Sequence, residues 1–220
     1  MRGKTQCQKA GEDTEKDPYL ISFGHNQAKQ TGSLLRKDLQ NKLDAVIVSP
    51  LTRCLQTTKG IVEEVGFQGN WIAREELREA FGITYSDMRN TQSHLKAQRA
   101  HVNFQDTTEE DEWWKPDRRE TWQNLQQRVD RFLHWASWNQ LVGSTPHGSN
   151  LLVVSHGVWI ECFLSRYYPK LFKEGKRVYN CDTFCSALVC NWEKENDQWT
   201  CKKIQIDHTK RVIKKHFQMF

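Results

Sequence analysis

The chain reads as an α/β domain, a mainly parallel sheet with helices packed on both faces. Three observations predict this. Short apolar segments alternate with stretches of helical periodicity. Two of those segments, Asp44-Ala-Val-Ile-Val-Ser-Pro-Leu-Thr-Arg53 and Leu151-Leu-Val-Val-Ser-His-Gly157, run through a Ser straight into a helical pattern. A length of 220 residues fits one globular domain with room for an embedded cap.

The elements follow in order. Residues 1–18 are polar and charged, end in Pro18 and read as a loop. Residues 25–39 place Ala28, Thr31, Leu35 and Leu39 at helical spacing. Residues 44–48 form a short apolar strand. The helix after Pro50 presents Leu51, Leu55, Thr58, Val62 and Val65, with Gly66 as its stop. Residues 67–118 are less regular and read as an excursion over one end of the sheet. Within it, residues 80–118 are a candidate lid that sets substrate choice; the competing reading is a surface subdomain held by Trp113 and Trp114. Residues 119–138 give the strongest helix. Trp122, Leu125, Val129, Phe132 and Ala136 mark one face, and Asp117 and Glu120 suit its start. Residues 143–148 read as a loop and 151–154 as a strand leading into a helix through Leu164. Residues 184–192 and 199–206 alternate as two strands joined by a polar turn.

Composition narrows the function classes. Hydrophobic residues make up 37% and charged residues 27%, with nine Trp and ten Phe, enough for a core. Mean hydropathy is -0.78, on the polar side. The net charge of +5 is spread among acids rather than gathered in a block. This argues against nucleic acid as the main partner and fits a small anionic substrate. The seven Cys are odd in number and include no Cys-x-x-Cys pair, so zinc-ribbon and thioredoxin readings lack support. A reducing, cytoplasmic location is expected. The polar amino terminus lacks a signal-peptide apolar region, and no apolar run approaches a bilayer span, so no membrane association is expected.

The chemistry concentrates at the two elbows. Ser49 is a good N-cap and Pro50 suits the first helical position. A helix start presents free N–H groups and the positive end of the dipole, and Arg53 adds a planar fork of donors. Together they form an anion seat suited to phosphate. The alternative is a capped helix with a surface Arg. The second elbow puts His156 at the carboxyl end of a parallel strand, where ligands of open α/β sheets bind, and Gly157 permits a sharp turn. The alternative for His156 is a structural hydrogen bonder. Two further readings are weaker. Gly3-Lys4-Thr5 lacks the first Gly and the strand of a nucleotide-binding P-loop. The Trp-rich stretch from Trp113 to Trp138 suits packing better than an interaction module.

Taken in order, the motifs resemble a known family. They are Asp17-Pro-Tyr-Leu-Ile-Ser-Phe-Gly24 with Gln27-Ala28, Ser49-Pro-Leu-Thr-Arg53 with Gln56-Thr57, Leu77-Arg-Glu79, and Val153-Val-Ser-His-Gly157. The set resembles the histidine phosphatase superfamily, also called phosphoglycerate mutase-like, over about residues 17–205. Leu77-Arg-Glu-Ala-Phe-Gly82 followed by Asp87 and Arg89, and Asp111-Glu-Trp-Trp114 with Arg119-Glu120, are similar to eukaryotic mutase-like members. The resemblance implies a three-layer α/β/α sandwich with a mainly parallel central sheet. It implies phosphomonoester hydrolysis or phosphoryl transfer through phosphohistidine, with no cofactor and no metal. The implied substrate is a phosphorylated small molecule or a phosphoprotein. Arg2, Arg53 and His156 would hold the phosphoryl oxygens, and Glu79 would protonate the leaving group.

The chain departs from the family at one point. Members open with a strand ending in Arg-His-Gly, whose His attacks phosphorus. Here Arg2-Gly3-Lys4-Thr5 aligns only without that His, and no apolar strand precedes it. In the family this strand lies between those carrying Arg53 and His156. Losing about four or five buried side chains removes roughly 6–15 kcal/mol, comparable to the roughly 5–15 kcal/mol by which whole domains are stable. The expectation is a weakened sheet with two unpaired inner edges, in a truncated or mis-joined gene product with impaired activity. A non-catalytic phosphate-binding pseudoenzyme, acting as regulator or scaffold, is the alternative.

Overall fold

The structure is a computed structural model. It describes residues 15–138, 150–169 and 178, with side chains through 136, 150–169 and 178, and the backbone of 183–195 and 198–213. The expected loop at 143–148 and most of the expected amino-terminal loop lie outside the described residues.

The order is α1 (Ser22–Leu39), β1 (Ala45–Val48), α2 (Thr52–Val65), β2 (Trp71–Ala73), α3 (Gln92–Gln98), β3 (Val102–Asn103), α4 (Trp122–Trp138), β4 (Leu151–Val154), α5 (Gly157–Tyr167), β5 (Thr183–Glu195) and β6 (Gln198–Ile213). Short 3-10 turns fall at Glu75–Leu77 and Tyr85–Asp87. Four strands form one parallel sheet in the order β3-β2-β1-β4. β5 and β6 form a separate antiparallel pair, longer than the alternation predicts.

All four β1 residues are buried, as a central parallel strand requires. Their alternation feeds two cores. Val46 and Val48 pack with Leu55 and Val62 of α2, Trp71 and Ala73 of β2, Leu95 and Phe104. Ile47 points the other way, onto Leu125, Val129, Phe132 and Ala136 of α4 and Trp159 and Cys162 of α5. The architecture is therefore the expected α/β/α sandwich. α2 ends as predicted, with Gly66 in the left-handed region at φ 82°.

The expected gap in the sheet is absent. β1 pairs directly with β4, from Ala45↔Leu151 to Val48↔Val154. The edges predicted to be unpaired satisfy each other, because inward backbone groups must find partners. Further hydrogen bonds extend the pairing at both ends: Asp44 N to Asn150 O at 2.9 Å and Ser49 N to Val154 O at 3.0 Å.

Other differences have local causes. α1 begins at Ser22 rather than 25, after the Leu20 N–H is tied to Gln56 Oε1 at 2.6 Å. The excursion supplies β3, a sheet strand too short to show periodicity. At α4, the Thr121 hydroxyl accepts from Asn124 N at 3.2 Å, while Glu120 pairs instead with Arg128. Trp122 is 46% exposed, and Arg128 takes a fully buried place on the predicted apolar face.

α1 crosses α2 at two glycines. A Cβ on Gly32 would lie 2.6 Å from Ile61 O, and one on Gly60 would lie 2.8 Å from Ala28 Cβ. Gly32→Val is expected to destabilise by about 1–3 kcal/mol in urea titration. Gly24→Ala meets only the flexible Leu20 Cδ2 at 3.2 Å. It is expected to change stability by less than about 1 kcal/mol, in the stabilising direction.

Candidate active site

Because β1 and β4 are parallel and in register, both elbows open at the same end of the sheet. At the first, helix α2 starts at Thr52, two residues later than Ser49-Pro50 predicts, and the cap position is Leu51. The cap comes from 35 residues away. Asp17 Oδ1 accepts from Thr52 N at 2.7 Å and its Oδ2 from Thr52 Oγ1 at 2.8 Å. Asp17 is fully buried, and Asn90 donates to it through Nδ2 at 3.1 Å. The anion expected at this helix start is thus partly supplied by the chain's own carboxylate.

Arg53 projects from the first turn of α2. Its Nη1 donates to Ser86 O at 2.6 Å and its Nη2 to Asp87 Oδ1 at 3.0 Å. Asp87 bridges to Arg119, whose Nη1 meets Oδ2 at 2.8 Å. The excursion therefore reaches the elbow directly through Ser86 and Asp87.

At the second elbow His156 stands at the N-cap position of α5, in extended backbone, and is 7% exposed. Its Nε2 lies 2.8 Å from Ser49 Oγ and 3.3 Å from Cys54 Sγ. Burial, then the charges of Arg53, Arg128 and Arg78, hold its pKa well below the usual histidine range. The ring is neutral at neutral pH. Burial pushes the Cys54 thiol up to about 12, so it stays protonated. Gly157 needs no unusual φ; a Cβ there would make only ordinary contact with Val178 O at 3.7 Å.

Glu79 completes the group. Its Oε1 accepts from Ala80 N at 2.8 Å and its Oε2 from Val158 N, in the first turn of α5, at 3.5 Å. Burial raises its pKa, and the charge of Asp87 adds to the rise, against the backbone donors and Arg53. Ser155 Oγ bonds Leu77 O at 2.7 Å and locks this segment to the elbow. The structure therefore gathers Arg53, His156 and Glu79 at one sheet end. Arg2 lies outside the described residues.

Behind these groups lies a buried charge network that sequence reasoning missed. Arg78, Arg89 and Arg128 are 0%, 1% and 0% exposed. Arg78 grips Asp111 with two bonds of 2.7 and 2.6 Å and reaches Glu75 and Asp87 O. Arg89 pairs with Glu75 at 2.7 Å. Arg128 holds Glu120 bidentately and donates to the carbonyls of Glu76, Arg78 and Glu79. Arg128 could have been found from its spacing, three after Leu125 and four before Phe132.

A parallel sheet covered on both faces, with an arginine, a histidine and a glutamate gathered at the carboxyl ends of its strands, defines an α/β protein with its polar cluster where ligands of such sheets bind. The chain belongs to the histidine phosphatase superfamily: the family pattern described as Histidine phosphatase superfamily (branch 1) matches residues 3–207. It is similar to Phosphoglycerate mutase-like protein 1 of Arabidopsis thaliana, 31% identical across 72% of this chain and 65% of that protein. A second Arabidopsis thaliana protein, Phosphoglycerate mutase-like protein, is 26% identical across 69% of this chain and 64% of its own. The chain thus spans just under two thirds of the length of these relatives. Among solved structures, mycobacterial glucosyl-3-phosphoglycerate phosphatase with inorganic phosphate shares the fold, with a TM-score of 0.53 and 18% identity over 80% of this chain and 84% of that one. Among the described residues, no helix is long and apolar enough to cross a membrane.

Two outcomes test the site's electrostatics. The folded pKa of His156 is depressed, so stability is full above the unfolded value of about 6.5 and falls as pH drops below it. Urea midpoints between about pH 7 and 5 are expected to decline in the wild type and to flatten in His156→Asn. Asp111→Ala strands Arg78 and the N–H groups of Arg89, Trp113 and Trp114, and is expected to cost about 3–5 kcal/mol in urea titration.

Proposed function

We propose that this chain holds a phosphomonoester at the carboxyl ends of β1 and β4, and that its turnover through phosphohistidine is impaired. The convergence of Arg53, His156 and Glu79 in a histidine phosphatase superfamily member carries this reading. Arg53 and His156 bind the phosphoryl oxygens. A guanidinium in a low-dielectric site stabilises that charge strongly, and a neutral imidazole contributes one N–H. Glu79, its pKa raised by burial, is the donor for a departing alkoxide. Arg2 joins the clamp in this reading. The nucleophile is the missing part, since Arg2-Gly3-Lys4-Thr5 contains no His.

Residues 80–118 serve as the lid, supported by the reach of Ser86 and Asp87 to Arg53. The substrate class is a phosphorylated small molecule or a phosphoprotein. A cytoplasmic setting accords with the buried free thiols of Cys54 and Cys162. The second reading, a phosphate-binding pseudoenzyme acting as regulator or scaffold, is favoured by the same absent His.

A phosphate titration beside an aryl phosphatase assay tests both readings. Phosphate is expected to bind, with at most trace turnover, and Arg53→Gln to weaken binding by about tenfold or more. Robust turnover that disappears in His156→Ala would overturn the impairment. No measurable phosphate binding would overturn the site itself.

A further inference from the structure

The side chains around His156 bear on a question that the motif leaves open, namely which ring nitrogen carries the proton. Nε2 faces two hydrogen-bonding groups from the other elbow: Ser49 Oγ at 2.8 Å and Cys54 Sγ at 3.3 Å. Among the described residues, Nδ1 has Cys54 Sγ at 3.9 Å as its nearest such neighbour, a weak and distant one. A neutral imidazole has one donor and one acceptor nitrogen, so the partners decide the tautomer.

Ser49 is fully buried, and its hydroxyl proton must find an acceptor inside the protein. Its oxygen already accepts from Leu51 N at 3.4 Å. With the proton on Nε2, the hydroxyl would have to turn to the Cys54 sulfur, a weak acceptor. With the proton on Nδ1, the Ser49 hydroxyl donates to a strong nitrogen acceptor. Cys54 is then free to direct its S–H at Ser155 O, 3.6 Å away. The second arrangement gives the Ser49 hydroxyl its strongest acceptor and leaves the Nδ1 N–H without a protein acceptor among the described residues, open to a ligand oxygen. The thiol–imidazole pair is no cation site, because the charges of Arg53, Arg128 and Arg78 all bear on the ring.

We propose that Ser49 is a positioning residue: its hydroxyl donates to His156 Nε2, holds the ring proton on Nδ1 and leaves that N–H to donate to a phosphoryl oxygen. The donation to phosphate rests on the function proposed above; the tautomer does not. Ser49 thus has a role other than the helix cap that its position before Pro50 suggests and that Asp17 fills instead. The elbow on β1 sets the chemistry of the elbow on β4.

The test is long-range proton–nitrogen NMR of the histidine-labelled full chain at neutral pH. The wild type is expected to show His156 with an unprotonated-type shift at Nε2 and a protonated-type shift at Nδ1. Ser49→Ala is expected to move both shifts toward the opposite tautomer and to weaken inorganic phosphate binding about fivefold. Ser49→Thr, which keeps the hydroxyl, restores the wild-type pattern, and Cys54→Ala leaves it unchanged. A protonated Nε2 in the wild type would overturn the proposal, and so would an unchanged spectrum in Ser49→Ala. Should Ser49→Ala fail to fold, the wild-type shifts alone decide. If the Nδ1-protonated ring is present but inorganic phosphate leaves its shifts unmoved, the tautomer stands and the phosphate-site reading falls.

Discussion

The direct parallel pairing of β1 with β4 is the constraint on which the rest depends. It turns two distant stretches of sequence, 45–48 and 151–154, into neighbours that point the same way. Parallel direction puts both strand-to-helix elbows at one end, where α2 and α5 begin. Register then decides which residues meet. With Val48 opposite Val154, Ser49 falls beside His156, and Cys54, one turn into α2, touches the same ring. A slip of one residue would turn β1 over, exchanging Ile47 with Val46 and Val48 between the two cores. Core and site are specified by the same pairing.

The second determinant is charge. Three guanidiniums are buried beneath the site, each surrounded by carboxylates and carbonyls. Burial opposes ionisation of Asp111, but the bonds and charge of Arg78, with the N–H groups of Arg89 and Trp114, hold it below the usual carboxylate range. Such a network adds little net stability over an apolar core, yet losing one member is costly. What it supplies is position and field. Arg128 fixes the backbone at Glu76, Arg78 and Glu79, and so sets where the Glu79 carboxyl lies. Burial first, then Arg53, with Arg128 and Arg78 adding to it, holds the His156 pKa well below the usual histidine range. The raised pKa of Glu79 and the lowered pKa of His156 both follow first from burial in this setting.

Much of this was legible from residues alone. Both elbows announced themselves as apolar runs breaking at a Ser, and Gly66 marked the end of α2. Arg53, Glu79 and His156, which the fold brings to one end of the sheet, stand out in their motifs. What escaped was non-local. Nothing near Thr52 reveals that its cap is Asp17, and nothing near Arg53 names Asp87. β3 is two residues long and carries no period. Arg128 was hidden because an arginine on an apolar helical face is read as a solvated residue, although three carbonyls and Glu120 await it. The two unpaired inner edges expected of the sheet are not found, for a physical reason: β1 and β4 pair with each other, and each satisfies the other's backbone groups.

That closure is open to direct measurement. Through-hydrogen-bond scalar coupling in the labelled protein reports which carbonyl accepts each strand amide. The account requires coupling from Ser49 N–H to the Val154 carbonyl, with interstrand proton contacts between Val46 and Leu152. Coupling of the Ser49 amide to a different strand, with Val46 and Leu152 out of contact, would contradict it.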